Sequence, residues 1–155
     1  FDSTHKNLFY DNVSARHANP LKSRDYNPCG GTPLYDAIGM GIAKVNALTT
    51  EDDSVLVTII TDGEENCSEE YDLKMIKNLI EKLKKQNWTF TFIGTDDLDV
   101  ENIAHGMGID NHLQFLEDEA GTKAMFAREN RARERYNRCR AMDCKMEAGS
   151  YFEEK

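Results

Sequence analysis

The chain has 155 residues, which is enough for one domain with a substantial apolar core. Its 28 acidic and 19 basic residues give a formal net charge of -9, which argues against general nucleic-acid binding. No stretch approaches the roughly 18 consecutive apolar residues that a membrane span needs, and no signal peptide is visible, so a membrane partner is not expected.

The first residues predict an edge strand and a loop. Residues 1–13 contain a polar turn after Phe1 and then apolar residues, a pattern typical of a strand end followed by an edge strand. Residues 14–33 are polar and contain all three prolines, so they predict a loop. Pro33 is suited to the first turn of the helix that follows.

The rest of the chain alternates between helical and strand patterns. Apolar residues at three- and four-residue spacing predict helices over 34–48, 69–86, 98–108 and 119–148. Runs of β-branched and aromatic residues predict strands over 54–61, 88–94 and 112–116. This alternation predicts a single α/β domain over residues 1–155, a Rossmann-like three-layer sandwich with a mostly parallel sheet.

The sequence also makes predictions about two glycines and one helix cap. Gly39 and Gly41 lie inside the 34–48 helix, where each lowers helix propensity by about 1 kcal/mol, and close packing against a sheet or a neighbouring backbone would explain their presence. Ser68 or a neighbour is expected to cap the 69–86 helix.

The final helix carries much of the basic charge. Residues 123–144 contain seven bases and three acids, a local net charge of +4 in an acidic chain. One interpretation packs this helix on the sheet through Ala124, Phe126, Ala127, Tyr136, Cys139 and Met142. The other uses the arginine-rich side to bind an acidic partner.

The four cysteines predict reduced thiols. Cys29, Cys67, Cys139 and Cys144 show no Cys-x-x-Cys spacing, so a cytoplasmic setting is favoured and a disulfide or zinc site is the rarer alternative. Cys139 and Cys144 are five residues apart, which places them on different faces of a continuous helix.

Two loops carry the groups that could bind a ligand. Gly30-Gly31-Thr32-Pro33 opens the 34–48 helix, and Asp62-Gly63-Glu64-Glu65 follows the 54–61 strand. In open α/β sheets ligands bind beyond the carboxyl ends of the strands. A hydroxyl and carboxylates without a suitably spaced His or Cys predict an oxygen site for Mg²⁺, Mn²⁺ or Ca²⁺. Nucleotide binding is less well supported, because the lysine and spacing of a phosphate-binding glycine loop are absent.

The segments 30–38 and 59–66 resemble the second and third motifs of von Willebrand factor type A domains. The residues Phe1-Asp2-Ser3-Thr4, the aromatic strand and Ala104-His105-Gly106-Met107-Gly108 also follow the family pattern. The resemblance covers nearly the whole chain and weakens after about residue 120. In that family the motifs build a metal-ion-dependent adhesion site, where an acidic group from a partner completes the shell of a divalent cation.

The resemblance implies a role for each motif residue. Thr32 would ligate the cation through its hydroxyl, and Asp62 would coordinate it directly or through a water. Gly30 and Gly31 would let the loop approach the ion. Asp36 would either accept a hydrogen bond from the ligand shell or act as an acid at a helix N-terminus, and Glu64 and Glu65 would lie nearby, facing solvent.

The family's first motif, Asp-x-Ser-x-Ser, does not occur in this sequence. Three oxygen ligands are therefore missing, and because Mg²⁺ prefers a near-octahedral shell the chain alone is expected to bind it weakly or not at all. The resemblance also places the absent strands in the middle of the sheet. An N-terminally truncated domain is thus expected to leave the 54–61 strand uncovered, unless a second copy, another polypeptide or a rearranged N-terminal segment covers it.

The resemblance implies a protein-interaction module rather than an enzyme. The module would bind an exposed Asp or Glu of a partner protein through the cation. A regulatory subunit of an ATPase- or chelatase-like complex is the alternative of another class. A metal-dependent hydrolase acting at Asp62 is a third, although no nucleophile–base pair is visible.

Overall fold

The computed structural model describes residues 1, 10–22, 30–144 and 146–153 and shows an α/β arrangement. Three strands pair in parallel in the order β1 (Val55–Thr61), β2 (Trp88–Thr95) and β3 (Asn111–Phe115). The helices are α1 (Leu34–Asn46), α2 (Leu73–Leu83), α3 (Val100–Gly106) and α4 (Glu119–Ala141), and a 3-10 helix covers Ala15–His17. The predicted α/β class and parallel sheet are confirmed.

Some predicted boundaries differ from the structure. The predicted edge strand lies mostly at residues 2–9, outside the described residues, and residues 10–13 are not in a strand. The helix predicted from residue 69 begins only at Leu73, because the cap is Asp72, whose carboxylate accepts from the Met75 N–H at 2.7 Å. Ser68 lies in the preceding loop and does not cap this helix.

Alternate residues of the strands build two apolar clusters, as expected where both faces of a parallel sheet are covered. Phe90 and Phe92 of β2 belong to a cluster with α1, α2 and α3, whereas Ile93 belongs to a cluster with α4 and the segment after it. The layers are therefore α1–α3, the sheet, and α4 with the C-terminal segment.

β1 is an edge strand in the part of the chain that the structure describes. It pairs with β2 on one side, and no described residue pairs with its other side. Near its end Ile60 is 39% exposed, whereas the last residue, Thr61, is buried. The exposed Asp62 follows directly, at the carboxyl end of the strand where ligands are expected.

The two glycines in α1 have different surroundings. A Cβ on Gly39 would lie 2.6 Å from the Tyr71 ring, so Gly39 is closely packed, but against a loop side chain and not against the sheet or a neighbouring backbone. A Cβ on Gly41 would meet nothing within 4 Å, so the expectation is wrong at that position.

α4 packs on the sheet, as one interpretation predicted, but of the predicted contact residues only Tyr136 is buried. Its buried residues are Met125, Glu129, Ala132 and Tyr136, whereas Phe126 and Met142 are exposed. The buried face of α4 was not recognised in the sequence because it includes the carboxylate of Glu129. Glu129 is paired with Arg133 at 2.6 Å and accepts from the Tyr151 hydroxyl at 3.3 Å.

The predicted 119–148 helix ends at Ala141, and the chain then turns back over the sheet. Arg128 and Arg135 of α4 donate to the carbonyls of Phe152 and Tyr151 at 3.1 and 2.8 Å. The Tyr151 N–H donates to Asn111 at 3.1 Å. Part of the arginine-rich side therefore binds the chain's own C-terminal segment.

The expectation of reduced thiols is wrong for one pair of cysteines. Cys139 and Cys144 form a disulfide, with their Cα atoms 5.1 Å apart. The helix ends between them, and Asp143 adopts a positive φ of 55°, so Cys144 folds back and its N–H donates to the Cys139 carbonyl at 3.0 Å. The argument for a cytoplasmic setting from reduced cysteines loses its basis here.

No helix within the described ranges combines the length and the apolar character that crossing a bilayer requires.

Candidate functional site

The two predicted loops meet at the carboxyl end of β1. The Thr32 N–H donates to the Asn66 side-chain oxygen at 2.8 Å, and the Asn66 N–H donates to the Thr32 carbonyl at 3.2 Å. The Thr32 hydroxyl oxygen lies 2.7 Å from the position that a Cβ on Gly63 would occupy. The hydroxyl of Thr32 is therefore adjacent to the turn that contains Asp62, as the pairing of motifs predicted.

The turn after β1 is fixed by its own threonine. The buried Thr61 hydroxyl donates to the Gly63 carbonyl at 2.9 Å and accepts from the Gly63 N–H at 3.2 Å. Asp62 and Glu64, on either side of Gly63, are both exposed. Two exposed acids therefore flank the glycine that lies next to the Thr32 hydroxyl.

Gly31 permits the close approach of the loops. A Cβ at this position would lie 2.5 Å from the Asn66 side-chain oxygen and 2.8 Å from the Cys67 sulfur. The resemblance assigned this glycine to the approach of an ion, but the structure shows that it admits the facing loop. Gly30 has a positive φ of 82°, which favours glycine at that residue.

Glu65 holds the two loops together through its carboxylate. Oε1 accepts from the N–H groups of Cys67 and Ser68 at 2.9 and 2.7 Å. Oε2 accepts from the Tyr35 N–H at 2.9 Å and from the Ser68 hydroxyl at 2.6 Å. The expectation that Glu65 faces solvent is wrong, because its carboxylate accepts four hydrogen bonds from the two loops.

The electrostatics of the site follow from this network. Burial acts to raise the pKa of Glu65, but the hydrogen bonds from Ser68, Tyr35 and Cys67 outweigh it and lower the pKa. Burial and the neighbouring Glu65 carboxylate raise the pKa of the Tyr35 hydroxyl. The carboxylate is therefore held in its charged form within the loops.

Asp36 performs a similar function in the first turn of α1. Its carboxylate is 1% exposed and accepts from the N–H groups of Glu69, Glu70 and Tyr71 at 3.0, 2.9 and 2.9 Å. The Asp36 N–H in turn donates to the Ser68 hydroxyl at 3.1 Å. These bonds anchor the 68–71 loop to α1, a role that neither interpretation of Asp36 included.

The residues present fit a divalent cation only in part. Thr32 and Asp62 would contribute two oxygen donors from adjacent loops, whereas Glu65 and Asp36 are committed to backbone N–H groups. No group of three or more His, Cys, Asp or Glu side chains suited to a metal occurs among the described residues. Mg²⁺ favours near-octahedral coordination, so a partner group and waters would have to supply most of the shell.

The sequence predicted which two loops meet, but not the hydrogen bonds that hold them together. Thr32, Gly31, Asp62 and Glu64 lie in the loops where they were predicted to lie. The roles of Glu65, Asn66 and Ser68 were missed. A Glu followed three residues later by Ser was the available signal, but it does not differ from an ordinary exposed polar loop.

No protein-family model matches this chain, and no curated protein matches it. The resemblance to type A domains therefore depends on the motifs and on their arrangement.

Proposed function

We propose that this chain is a protein-interaction module of the von Willebrand factor type A kind. It would bind an exposed Asp or Glu of a partner protein at the loops after β1, through a divalent cation held by Thr32 and Asp62. The observation that carries the proposal is the proximity of the Thr32 hydroxyl to Gly63, where an added Cβ would lie 2.7 Å from the hydroxyl oxygen. The cation would act as a Lewis acid shared between the two proteins.

The construction of the loops supports a binding role. Glu65 and Asp36 use their carboxylates to hold backbone N–H groups, which makes the site rigid before any ligand arrives. Preorganised loops lose less conformational entropy on binding. Asp62 and Glu64 stay exposed and available to an incoming group.

Because this chain supplies only part of the donor set, the cation would be coordinated by the chain and the partner together. With two donors from this chain, Mg²⁺ or Mn²⁺ alone should bind weakly, and the partner's carboxylate should raise the apparent affinity for the cation. Linkage requires the reverse as well, so the cation must strengthen binding of the acidic partner by the same factor.

Calorimetric titration tests this proposal. A short peptide with one central Glu is titrated into the protein with Mn²⁺ and with a chelator, and the Gln version of the peptide serves as the ligand control. We expect binding of the Glu peptide only with Mn²⁺, weakened about tenfold or more by Thr32→Ala or Asp62→Asn. Asp52→Asn, an exposed acid before β1, is the matched control and should leave binding unchanged.

Two results would refute the proposal. One is binding of the Glu peptide that is equally strong with chelator. The other is a tight, stoichiometric Mn²⁺ site in the protein alone, which would contradict the partial fit of the donor set.

A further inference from the structure

β1 has an edge with no strand beside it in the part of the chain that the structure describes. Of the described strands, β2 alone pairs with it. Such an edge presents a row of N–H and C=O groups that can pair with a strand of another chain, and proteins usually protect it with a charge or a proline. The sequence of β1, Val-Leu-Val-Thr-Ile-Ile-Thr, contains neither. The edge is therefore suited to strand addition.

One face of β1 is also incompletely covered. Leu56 packs against the cluster that contains α4, so Leu56, Thr58 and Ile60 share the α4 side of the sheet. Leu56 and Thr58 are half-buried, and Ile60 is 39% exposed. Side chains of a neighbouring strand would cover this face, because residues opposite each other on paired strands are in contact.

The residue pattern of β1 fits a second copy of itself. An antiparallel pair centred on Thr58 places Leu56 opposite Ile60 of the other copy, on the α4 side. It places Val57 opposite Ile59 of the other copy, on the side of α1, α2 and α3. Apolar residues thus meet apolar residues on both faces, and the helical layers of the two copies stay on matching sides of one sheet.

The charges at the ends of β1 favour the same arrangement. Arg140 donates to the Ser54 hydroxyl through Nε at 2.9 Å and through Nη2, which holds the guanidinium at the start of β1. No carboxylate among the described residues pairs with Arg140. In the register centred on Thr58, Ser54 lies opposite the exposed Asp62 of the other copy, so each guanidinium comes close to a carboxylate. Two-fold symmetry repeats this contact at both ends of the paired strands.

Acidic residues of the two copies also approach each other at these ends. The same register places Asp52 opposite Glu64 of the other copy, and both are exposed. Like charges that lie opposite each other destabilise strand pairing. Arg140 therefore offsets a repulsion between the copies, and loss of its charge should weaken their association.

We propose that the chain forms a symmetric dimer in which β1 pairs antiparallel with β1 of a second copy, centred on Thr58. The two three-stranded sheets become one continuous sheet with the β1 pair at its centre. The dimer does not rest on the proposed function, although Asp62 takes part in both. It places the Thr32 loops of the two copies at opposite ends of a seven-residue strand, about 20 Å apart, so under the proposed function the dimer would bind its partner at two sites.

Sedimentation velocity of the full chain over a range of concentrations tests the dimer. We expect a concentration-dependent equilibrium between monomer and dimer. Thr58→Lys should raise the dissociation constant about tenfold or more, because the two new charges face each other at the symmetry axis. Asn78→Lys adds the same charge at an exposed position of α2 and is the matched control, which should leave the dissociation constant unchanged.

A charge exchange tests the contact of Arg140. Arg140→Glu should raise the dissociation constant about tenfold or more, and Asp62→Arg added to it should restore association to within about threefold of the wild type. Arg138→Glu, at an exposed position of the same helix, is the control and should have little effect. A folding defect would not be rescued by the second substitution, and urea unfolding followed by Trp88 fluorescence shows that each variant is folded.

Hydrogen exchange identifies what covers the edge of β1. In the dimer, the amides of residues 55–61 that do not bond to β2 should become more protected as protein concentration rises. A chain that stays monomeric at every concentration overturns the proposal. Protected amides in that monomer would show that the chain covers its own edge, and unprotected amides would leave the edge to a different protein. A dimer that Thr58→Lys does not weaken also overturns the proposal, since it would use another surface.

Discussion

The buried carboxylate of Asp36 should be one of the most important side chains for the stability of the site. It accepts three N–H bonds from the 69–71 loop, and it is 1% exposed. Asp36→Asn keeps the shape and one acceptor oxygen but replaces the other oxygen with a donor. The new side-chain NH₂ group must then face at least one backbone N–H. One hydrogen bond is lost, and two hydrogen-bond donors point at each other.

The size of the effect follows from these contacts. A hydrogen bond to a charged group contributes about 1.5–3 kcal/mol, and an unpaired buried N–H costs a similar amount. Because the 69–71 loop borders solvent and can relax, we expect Asp36→Asn to lower the free energy of unfolding by about 2–4 kcal/mol. Domains of this size are stable by about 5–15 kcal/mol, so the variant should still fold.

Urea unfolding measures this change, with Trp88 fluorescence as the signal because Trp88 is buried and is the only tryptophan. Asp52→Asn removes an exposed acid from the same chain and should change stability by less than about 0.5 kcal/mol. Faster amide exchange confined to residues 69–71 would assign the effect to the loop. A change below about 0.5 kcal/mol in Asp36→Asn would refute the reasoning.

Three other predictions test separate contacts. The pKa of Glu65 is lowered in the fold from its ordinary value of 4.5, so its stabilising effect is present at neutral pH and is lost as pH falls below 4.5 through the lowered pKa. The stability difference between wild type and Glu65→Gln should therefore shrink over that pH window in urea unfolding, and a constant difference would contradict the assignment. Gly31→Ala should lower the free energy of unfolding by about 1–3 kcal/mol, because the new methyl group would clash with Asn66 and Cys67. Gly41→Ala meets nothing and should stabilise α1 by about 0.5–1 kcal/mol. Thermal unfolding compares the two variants, and equal effects would refute the reasoning. Cys144→Ser should lower the free energy of unfolding by only about 2 kcal/mol, because the loop that the disulfide closes is short. Chemical unfolding measures this change. Alkylation of all four cysteines without reductant would show that the disulfide is absent.

The sheet could be predicted because its signals are local. β1 is a nearly continuous run of apolar and β-branched residues from Val55 to Thr61, and such a composition favours a strand. The face of α4 could not be predicted in the same way. Its buried stripe contains Glu129, and that charge is accommodated only by Arg133 and by Tyr151, which arrives from outside the helix.

The site shows the same division between local and non-local information. The meeting of the Thr32 and Asp62 loops follows from the rule that strand ends and helix starts share one edge of the sheet. The role of Glu65 depends on four N–H or O–H groups spread from Tyr35 to Ser68, which come together only in the fold. Spacing alone could not distinguish Glu65 from its exposed neighbour Glu64.

The exposed charges around the loops decide which partner the site can take. Asp62, Glu64, Glu69 and Glu70 all face solvent, whereas Asp36 is buried and Glu65 accepts hydrogen bonds within the loops. Without a cation this rim repels an acidic peptide and attracts a basic one, and the attraction weakens as salt is raised. Under the proposed function, a divalent cation at Thr32 and Asp62 would reverse this preference. Titrating acidic and basic peptides with and without Mn²⁺ therefore distinguishes a cation-bridged carboxylate from simple charge attraction. A peptide preference that does not change with the cation would indicate simple charge attraction.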